Sequence, residues 1–275
     1  MKRVRVASVC AAGLFALCAA GNAGAADLPT AKGAPLAPAP VQRAAYSWTG
    51  FYVGANIGGN LTSNWNADAK AGSGFSFHDD NSGLAAATLD TGVGGVIGGA
   101  QAGYNWQYGW AVIGAEADIS GLSAGGSGSW TSFATLNGST LTTSASEHMN
   151  YLGTVRLRAG YVLYERWLLY VTGGFAYGGV NNSGSVTMNG APAYQWTNSS
   201  SNVRTGYALG GGVSYALTDN ISLLAEGYYY SLGAQLNTDV GNAAVRANPS
   251  LNGYNLIYKT TTVGDVFRVG VDYKF

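Results

Sequence analysis

The feature that most constrains this chain is an alternation of apolar residues with polar or small ones, repeated in eight separate segments. The clearest segment is 149–162, whose alternate positions form two faces: Met149, Tyr151, Val155, Leu157, Ala159 and Tyr161 on one, and Asn150, Thr154, Arg156, Arg158 and Gly160 on the other. The other segments are 50–59, 95–107, 110–120, 166–178, 203–216, 220–231 and 264–275. A period of two is typical of β-strands, because successive side chains point to opposite sides of a sheet. The pattern therefore predicts an all-β chain.

The segments are separated by connections that alternate between long and short. The long ones are 60–94, 121–148, 179–202 and 232–263, and they are rich in Gly, Ser, Asn and Thr. Structureless connections longer than about 12–15 residues are uncommon in compact soluble domains, whereas outer-membrane barrels have short periplasmic turns and long extracellular loops. We therefore predict an eight-stranded antiparallel up-and-down transmembrane β-barrel with both ends in the periplasm. A soluble lipocalin-like barrel is the alternative fold.

The composition suits strands that face lipid. Charged residues make up 10% of the chain, against about a quarter in typical soluble domains. After the N-terminal segment, no continuous apolar run reaches the length of about 20 residues that a membrane helix needs. The 14 basic and 14 acidic residues balance, and no basic patch points to nucleic acid as a partner.

The N-terminal residues predict export. A basic start, an apolar run and a group of small residues that ends at Ala26 form the pattern of a secretory signal peptide. Cys10 and Cys18 lie in this segment, so the mature chain would contain no cysteine. The next stretch holds four of the six prolines. We therefore divide the chain into a signal peptide (1–26), a Pro/Ala-rich periplasmic linker (27–45) and an outer-membrane β-barrel (46–275).

The polar faces of the predicted strands carry charges of both signs. With the apolar faces toward lipid, these charged residues point into the barrel: Glu116, Asp118, Arg156, Arg158, Arg204, Glu226, Arg268 and Asp272. An eight-stranded interior is just wide enough to be filled by side chains, and opposite charges in such an interior must pair or be hydrated. We therefore predict a structural ion-pair network. A gated ion or proton path and a catalytic acid–base pair are the alternatives.

Few other residues suggest a chemical site. The sequence His-Asp-Asp at 78–80 is a candidate metal or hydrolase site, but a loop histidine beside aspartates is usually only solvated. The three tyrosines at 228–230 are predicted to belong to an outer aromatic girdle, with contact to lipopolysaccharide or another ligand as the alternative. Trp48 is predicted to belong to the periplasmic girdle. We predict no catalytic residue, no cofactor and no metal site.

The last predicted strand ends in an aromatic residue. Its outward face would carry Val269, Val271, Tyr273 and Phe275. This pattern looks like the C-terminal recognition signal that the barrel assembly machinery reads in outer-membrane proteins. A physical reason exists, because a final strand with unpaired backbone groups is a natural site for the addition of another strand. We predict that these four residues form an assembly signal.

Three stretches of sequence carry a resemblance to a known family. They are Ser-Trp-Thr-Gly-Phe-Tyr-Val-Gly at 47–54, Gly-Gly-Ala-Gln-Ala-Gly-Tyr-Asn-Trp-Gln at 98–107 and Arg-Val-Gly-Val-Asp-Tyr-Lys-Phe at 268–275. These stretches resemble the small outer-membrane proteins of alphaproteobacteria, which are commonly labelled outer-membrane immunogenic or porin-family proteins. The resemblance implies an eight-stranded barrel akin to the membrane domain of outer membrane protein A, and it implies no catalytic motif.

These patterns predict a non-enzymatic, structural barrel of the bacterial outer membrane that supports envelope integrity and displays four long surface loops. The alternatives are a passive small-solute channel, a loop-mediated adhesin or ligand-binding protein, and a lipid-modifying enzyme. The expected partners are outer-membrane lipid, lipopolysaccharide and, during insertion, the barrel assembly machinery. Surface ligands would be reached through the loops.

Overall fold

The computed structural model describes residues 46–61, 66–70, 94–132, 138–191, 193–252 and 256–275. Its strands are β1 (Gly50–Leu61), β2 (Asn66–Lys70), β3 (Gly94–Tyr108), β4 (Ala111–Thr131), β5 (Leu141–Leu163), β6 (Trp167–Met188), β7 (Gln195–Ala216), β8 (Ile221–Gly241) and β9 (Leu256–Lys274), and a short helix, α1 (Ala243–Ala247), precedes β9. Across these ranges, no helix is long and apolar enough to cross a membrane. The predicted signal peptide and linker (1–45) and positions 78–80 lie outside the described residues, so those assignments stay predictions.

The strands form a closed antiparallel ring. Each strand from β3 to β9 pairs with its neighbours in chain order, and β1 pairs with both β3 and β9. The ladder between β1 and β9 ends at Leu61 opposite Asp265. β2 then pairs with β9 from Thr261 onwards, so it continues the place of β1 in the wall. The ring thus has eight strand positions, and the predicted eight-stranded barrel is confirmed.

Five strands are much longer than the sequence pattern predicted. β4 to β8 have 21 to 23 residues, about twice the 9–11 residues that a tilted strand needs to cross a membrane. The predicted loop 121–148 is wrong for most of its length, because only 132–140 separates β4 from β5. The predicted loop 179–202 likewise shrinks to 189–194, and the predicted loop 232–263 shrinks to 242–255. We call the added parts of β4 to β7 the strand extensions; they are 121–131, 141–148, 179–188 and 195–202.

The strand extensions form because their polar side chains alternate and pair across strands. On the outer face, Ser146 Oγ lies 2.7 Å from Ser183 Oγ, and Thr131 Oγ1 lies 3.1 Å from Thr142 Oγ1. On the inner face, Leu141 is fully buried. Sequence rich in Ser and Thr suggests a loop when it is taken alone, whereas neighbouring strands satisfy its backbone groups once the barrel is assembled.

One β-bulge reverses the faces of β5. The ladder between β5 and β6 shifts register between Met149 and Tyr151, which leaves Asn150 as the extra residue of a bulge. Met149 is therefore only 2% exposed and lies inside the barrel, so its predicted position on the lipid face is wrong. A strict period of two cannot show where the pattern changes face.

Outward aromatic side chains form a belt at the end of the barrel that carries the short turns. Its exposed members are Phe51, Tyr104, Trp106, Trp110, Tyr161, Trp167, Tyr273 and Phe275. Trp48 was predicted to join this girdle, but it is buried in the mouth of the barrel. Nearer the other end, Tyr207 and Tyr229 face outward with ring centroids 6.3 Å apart. The two levels mark the interfacial regions where aromatic rings of outer-membrane barrels lie.

The prediction for the tyrosines at 228–230 is wrong at two of the three positions. Tyr229 faces outward, but Tyr228 and Tyr230 are 3% and 0% exposed inside the barrel. Consecutive residues of a strand point to opposite faces, so three adjacent tyrosines cannot all belong to one girdle.

We predict that Gly103→Ala destabilises the barrel and that Gly59→Ala does not. A Cβ at Gly103 would lie 2.4 Å from Tyr52 Oη and 2.6 Å from the carbonyl oxygen of Ala115, whereas a Cβ at Gly59 would meet nothing within 4 Å. Overpacking of this kind costs about 1–3 kcal/mol. The free energy of unfolding, measured by urea titration in lipid vesicles, should fall for the first variant alone. Equal values for the two variants would contradict the packing described.

Candidate functional site

The first described residues close the mouth of the barrel at the short-turn end. Tyr46 and Trp48 pack edge to face with ring centroids 5.0 Å apart, in a cluster that includes the buried Leu168. The Lys274 ammonium lies 4.1 Å from the centre of the Tyr46 ring. Burial, together with the nearby Asp219 carboxylate, raises the pKa of Tyr46 to about 12. The Tyr46 hydroxyl therefore stays neutral, and protein fills this end of the lumen.

Deeper in the barrel, charged side chains meet across the lumen around the fully buried Arg156. Its Nη1 donates to Glu226 Oε1 at 2.8 Å, and its Nη2 donates to Glu116 Oε1 at 2.8 Å. Its Nη2 also lies 3.2 Å from Asp118 Oδ2, and its Nε donates to Thr154 Oγ1 at 2.8 Å. One guanidinium from β5 thus joins carboxylates from β4 and β8.

Two further arginines complete this group. Arg268 Nη2 lies 2.9 Å from Glu226 Oε1 and 3.2 Å from Glu116 Oε1. Arg268 Nη1 lies 3.3 Å from Asp118 Oδ1. Arg158 Nη2 donates to Glu116 Oε2 at 2.5 Å. Three guanidiniums face three carboxylates, so their formal charges cancel. We call these six residues the charge cluster: Glu116, Asp118, Arg156, Arg158, Glu226 and Arg268.

Buried tyrosines surround the charge cluster. Tyr52 Oη donates to Glu116 Oε2 at 2.8 Å, and Tyr170 Oη donates to Glu226 Oε2 at 3.0 Å. The guanidinium carbon of Arg158 lies 4.1 Å from the centre of the Tyr170 ring. These hydrogen bonds and cation–π contacts replace part of the hydration that the ions lose, which a buried ion-pair network requires.

The structure does not bring all eight predicted charges together. Asp272 lies on the mouth side of the charge cluster, where its Oδ1 accepts a hydrogen bond from Gln101 Nε2 at 2.7 Å. Arg204 lies on the opposite side, where its Nη1 donates to Thr262 Oγ1 at 2.9 Å. Its Nε donates to Gln235 Oε1 at 3.2 Å. These two residues belong to separate hydrogen-bonded groups.

An apolar layer lies between the charge cluster and Arg204. Its buried members are Ile97, Leu122, Met149, Leu152, Ala176, Val180, Ala208, Tyr228, Tyr230, Leu232 and Val266. Sequence reasoning missed this layer, because Leu122, Val180 and Leu232 fall in segments that were predicted to be loops. The available signal was an isolated apolar residue one or two positions beyond a predicted strand end, within otherwise polar sequence.

The geometry favours a structural interior over a reactive or conducting one. In every ion pair of the charge cluster, the exposure of both side chains is 2% or less. A general acid or base must reach a proton of its substrate, and a conducting path needs hydrated groups. Paired ions shielded on one side by aromatic rings and on the other by an apolar layer meet neither condition.

Comparison with known sequences identifies the family of this chain. The family described as Outer membrane protein beta-barrel domain matches residues 30–275. The chain belongs to this family. It is also 34% identical, over 277 residues that cover 100% of each chain, to the 31 kDa outer-membrane immunogenic proteins of Brucella melitensis biotype 1 and Brucella suis biovar 1. The predicted resemblance is thereby confirmed, and the chain is an outer-membrane protein.

Solved structures of outer-membrane proteins show a weaker likeness. OprG from Pseudomonas aeruginosa aligns with a TM-score of 0.45 and 11% identity, over 82% of this chain and 96% of that one. Neisserial surface protein A aligns with a TM-score of 0.36 and 16% identity, over 82% of this chain and 98% of that one. The barrel assignment therefore rests on the ring of strands in this chain and on the family match.

We predict that Arg156→Met strongly destabilises the barrel. The substitution leaves Glu116, Asp118 and Glu226 facing two arginines in a buried site, and removing one partner of a buried ion pair costs about 3–5 kcal/mol. Urea unfolding in lipid vesicles should show this loss. The control Arg246→Met, at an exposed position of α1, should change the free energy of unfolding by less than about 0.5 kcal/mol.

A double variant tests whether the charges act as a balanced group. Arg156→Met combined with Glu226→Gln leaves two arginines and two carboxylates in the cluster. It should recover part of the stability that the single variant loses. If the single and double variants were equally unstable, charge balance would not be what stabilises the cluster.

Proposed function

We propose that this protein is a structural barrel that supports the integrity of the outer membrane without conducting solutes. The supporting observation is the charge cluster, in which Arg156 of β5 pairs with Glu226 of β8, and Arg268 of β9 pairs with carboxylates of β4, across the lumen. An ion that passed this point would have to separate buried ion pairs. Each charge left without its partner would cost about 3–5 kcal/mol. The interior of an eight-stranded barrel leaves little other space.

The passive-channel alternative fits the remaining interior poorly as well. Ile97, Leu152 and Val180 are fully buried in the apolar layer. Water among such side chains would lose hydrogen bonds that it makes in bulk solution. Tyr46 and Trp48 fill the periplasmic mouth in addition. A solute would therefore meet an aromatic plug, the charge cluster and the apolar layer in turn.

The same proposal includes the display of a surface outside the membrane. The strand extensions carry rows of hydroxyl groups on their outer face, and one row runs across four strands as Ser127, Ser146, Ser183 and Ser199. Across the described strand extensions, no Asp, Glu, Lys or Arg side chain lies on the outer face. This sheet takes the place of two of the long loops that the sequence predicted. The adhesin alternative would act through this sheet and through the remaining connections.

We predict that the purified, refolded protein produces no conductance steps in planar lipid bilayers. The physical reason is that the aromatic plug, the charge cluster and the apolar layer each close the lumen. The same bilayers should conduct when a general porin is added, which controls for the assay. Reproducible steps from the wild-type chain would overturn the closed interior.

The integrity role has a separate test in cells. A deletion strain should become sensitive to detergent and release periplasmic enzymes, and the wild-type gene should restore both properties. An unchanged barrier would contradict the integrity role. Loss of attachment to surfaces with an intact barrier would favour the adhesin alternative.

We also propose that the last strand carries the assembly signal. Val269, Val271, Tyr273 and Phe275 are all exposed on the outer face. In the finished barrel, the Phe275 amide donates to the Phe51 carbonyl at 3.0 Å. This end of β9 pairs with β8 on one edge, and its other edge is paired only after β1 has closed the ring. Before closure, its free edge and outward apolar row are available to another strand.

Deletion of Phe275 is predicted to lower the amount of folded barrel in cells several-fold while leaving refolding into lipid vesicles nearly unchanged. Folded and unfolded forms are separated by their mobility on gels without heating. Phe51→Ala is the matched control, because it removes the ring contact at 5.7 Å but keeps the C-terminus. Equal assembly defects in both variants would assign the effect to the ring contact instead of recognition.

A further inference from the structure

The regular ladder between β7 and β8 is interrupted. Their ladder breaks off between Thr197 and Tyr207, so residues 198–206 of β7 and 232–239 of β8 have no ladder partners across this boundary. Each side remains paired to its other neighbour, β6 or β9, over most of this length. We call these two facing stretches the β7–β8 seam.

The interruption begins at a break in β8. Gly233 has a φ of +71°, a left-handed conformation that glycine adopts without a steric penalty. The ladder between β8 and β9 shifts register at the same place, between Ser231 and Ala234. The seam also begins on the extracellular side of the outward Tyr207, where water and polar groups of the membrane surface can satisfy open backbone groups.

Side-chain hydrogen bonds join the two strands where the regular ladder is missing. Ser200 Oγ donates to Asn237 Oδ1 at 3.3 Å, and Arg204 Nε donates to Gln235 Oε1 at 3.2 Å. Both distances are at the long end of the range for hydrogen bonds. Local opening occurs where few cooperative contacts must break, so we expect the seam to open more easily than the continuous ladders beside it.

A cationic group with a spare donor lies directly inside the seam. Arg204 is 6% exposed, and among the described residues its Nη2 has no hydrogen-bond partner. Its Nη1 is engaged by Thr262, whose hydroxyl donates in turn to Glu147 at 2.8 Å. A buried, charged N–H group without an acceptor is unfavourable. An oxyanion that reached Nη2 would remove this penalty.

Apolar side chains flank the seam on its outer face. Val203 of β7 and Leu236 of β8 are 64% and 62% exposed. Outward positions of the strand extensions carry small polar residues instead, such as Ser127, Ser146 and Ser183. The seam therefore combines an apolar outer surface with a buried cation immediately behind it.

We propose that the β7–β8 seam binds an amphiphile with a carboxylate head and a single hydrocarbon chain, a molecule of the fatty-acid class. The carboxylate accepts hydrogen bonds from Arg204 Nη2, and the chain lies against Val203 and Leu236. The Arg204 guanidinium carries one positive charge and has one nitrogen without a partner in the described part of the chain, which favours a singly charged carboxylate over a doubly charged phosphate monoester. Binding requires the side-chain hydrogen bonds of the seam to part.

Photo-crosslinking of the full chain, folded in lipid vesicles, tests this site. The probe is a long-chain fatty acid with a photoactivatable group on its chain, and labelled peptides are mapped by mass spectrometry. Labelling should concentrate on the peptides that contain Val203 and Leu236. Arg204→Gln should reduce this labelling several-fold, whereas Arg246→Gln, which removes an exposed charge from α1, should leave it unchanged. Labelling spread evenly around the barrel would overturn the proposal.

Two matched probes and a second variant separate the contributions of head and chain. The alcohol of the same chain length should label the seam weakly, and equal labelling by the alcohol would disprove recognition of the carboxylate. Stronger labelling by the corresponding phosphate monoester would disprove the choice of a carboxylate head. Leu236→Asn keeps Arg204 in place and should also reduce labelling, so it tests the site even if Arg204→Gln folds poorly. Unchanged labelling in Leu236→Asn would contradict the placement of the chain.

Discussion

The closing of the backbone ladder between β1 and β9 is the constraint on which the rest of the structure depends. A hydrocarbon environment offers no hydrogen bonds, so an open strand edge inside it leaves a row of unsatisfied groups. Pairing that runs from Tyr52 opposite Lys274 to Leu61 opposite Asp265 removes this edge. The interruption of the ladder at the β7–β8 seam lies beyond the outward aromatic residues, where other polar groups are within reach.

Closure with eight strands then determines what the interior can contain. Inward positions meet across a narrow space, so every side chain there must pack or pair. Arg156 satisfies this condition by reaching Glu116, Asp118 and Glu226 at once. The apolar layer satisfies it by packing alone. The proposed structural role follows from this filled interior. The proposed amphiphile site lies where the ladder between β7 and β8 is interrupted.

Much of the membrane-spanning part was predictable. A strand with one face toward lipid and the other toward the barrel interior shows a period of two in its sequence. The outward face of β3, with Tyr104 and Trp106, and that of β9, with Val269 and Val271, lie where the alternation places them. The strand extensions were not predictable from composition, since Ser and Thr are common in loops and pair as strands only beside suitable neighbours. The predicted position of Met149 on the lipid face was wrong for a different reason, because the bulge at Asn150 shifts the period by one residue.

By itself, the sequence determined an all-β membrane barrel and the set of charges that must avoid lipid, because both follow from alternation within each strand. Only the tertiary structure decided which charges meet. Arg156 of β5 meets Glu226 of β8, and Arg268 of β9 meets Glu116 of β4, whereas Arg204 ends on the far side of the apolar layer. Pairing across a lumen depends on the register between strands that are distant in the chain, and no pattern within one strand contains that information.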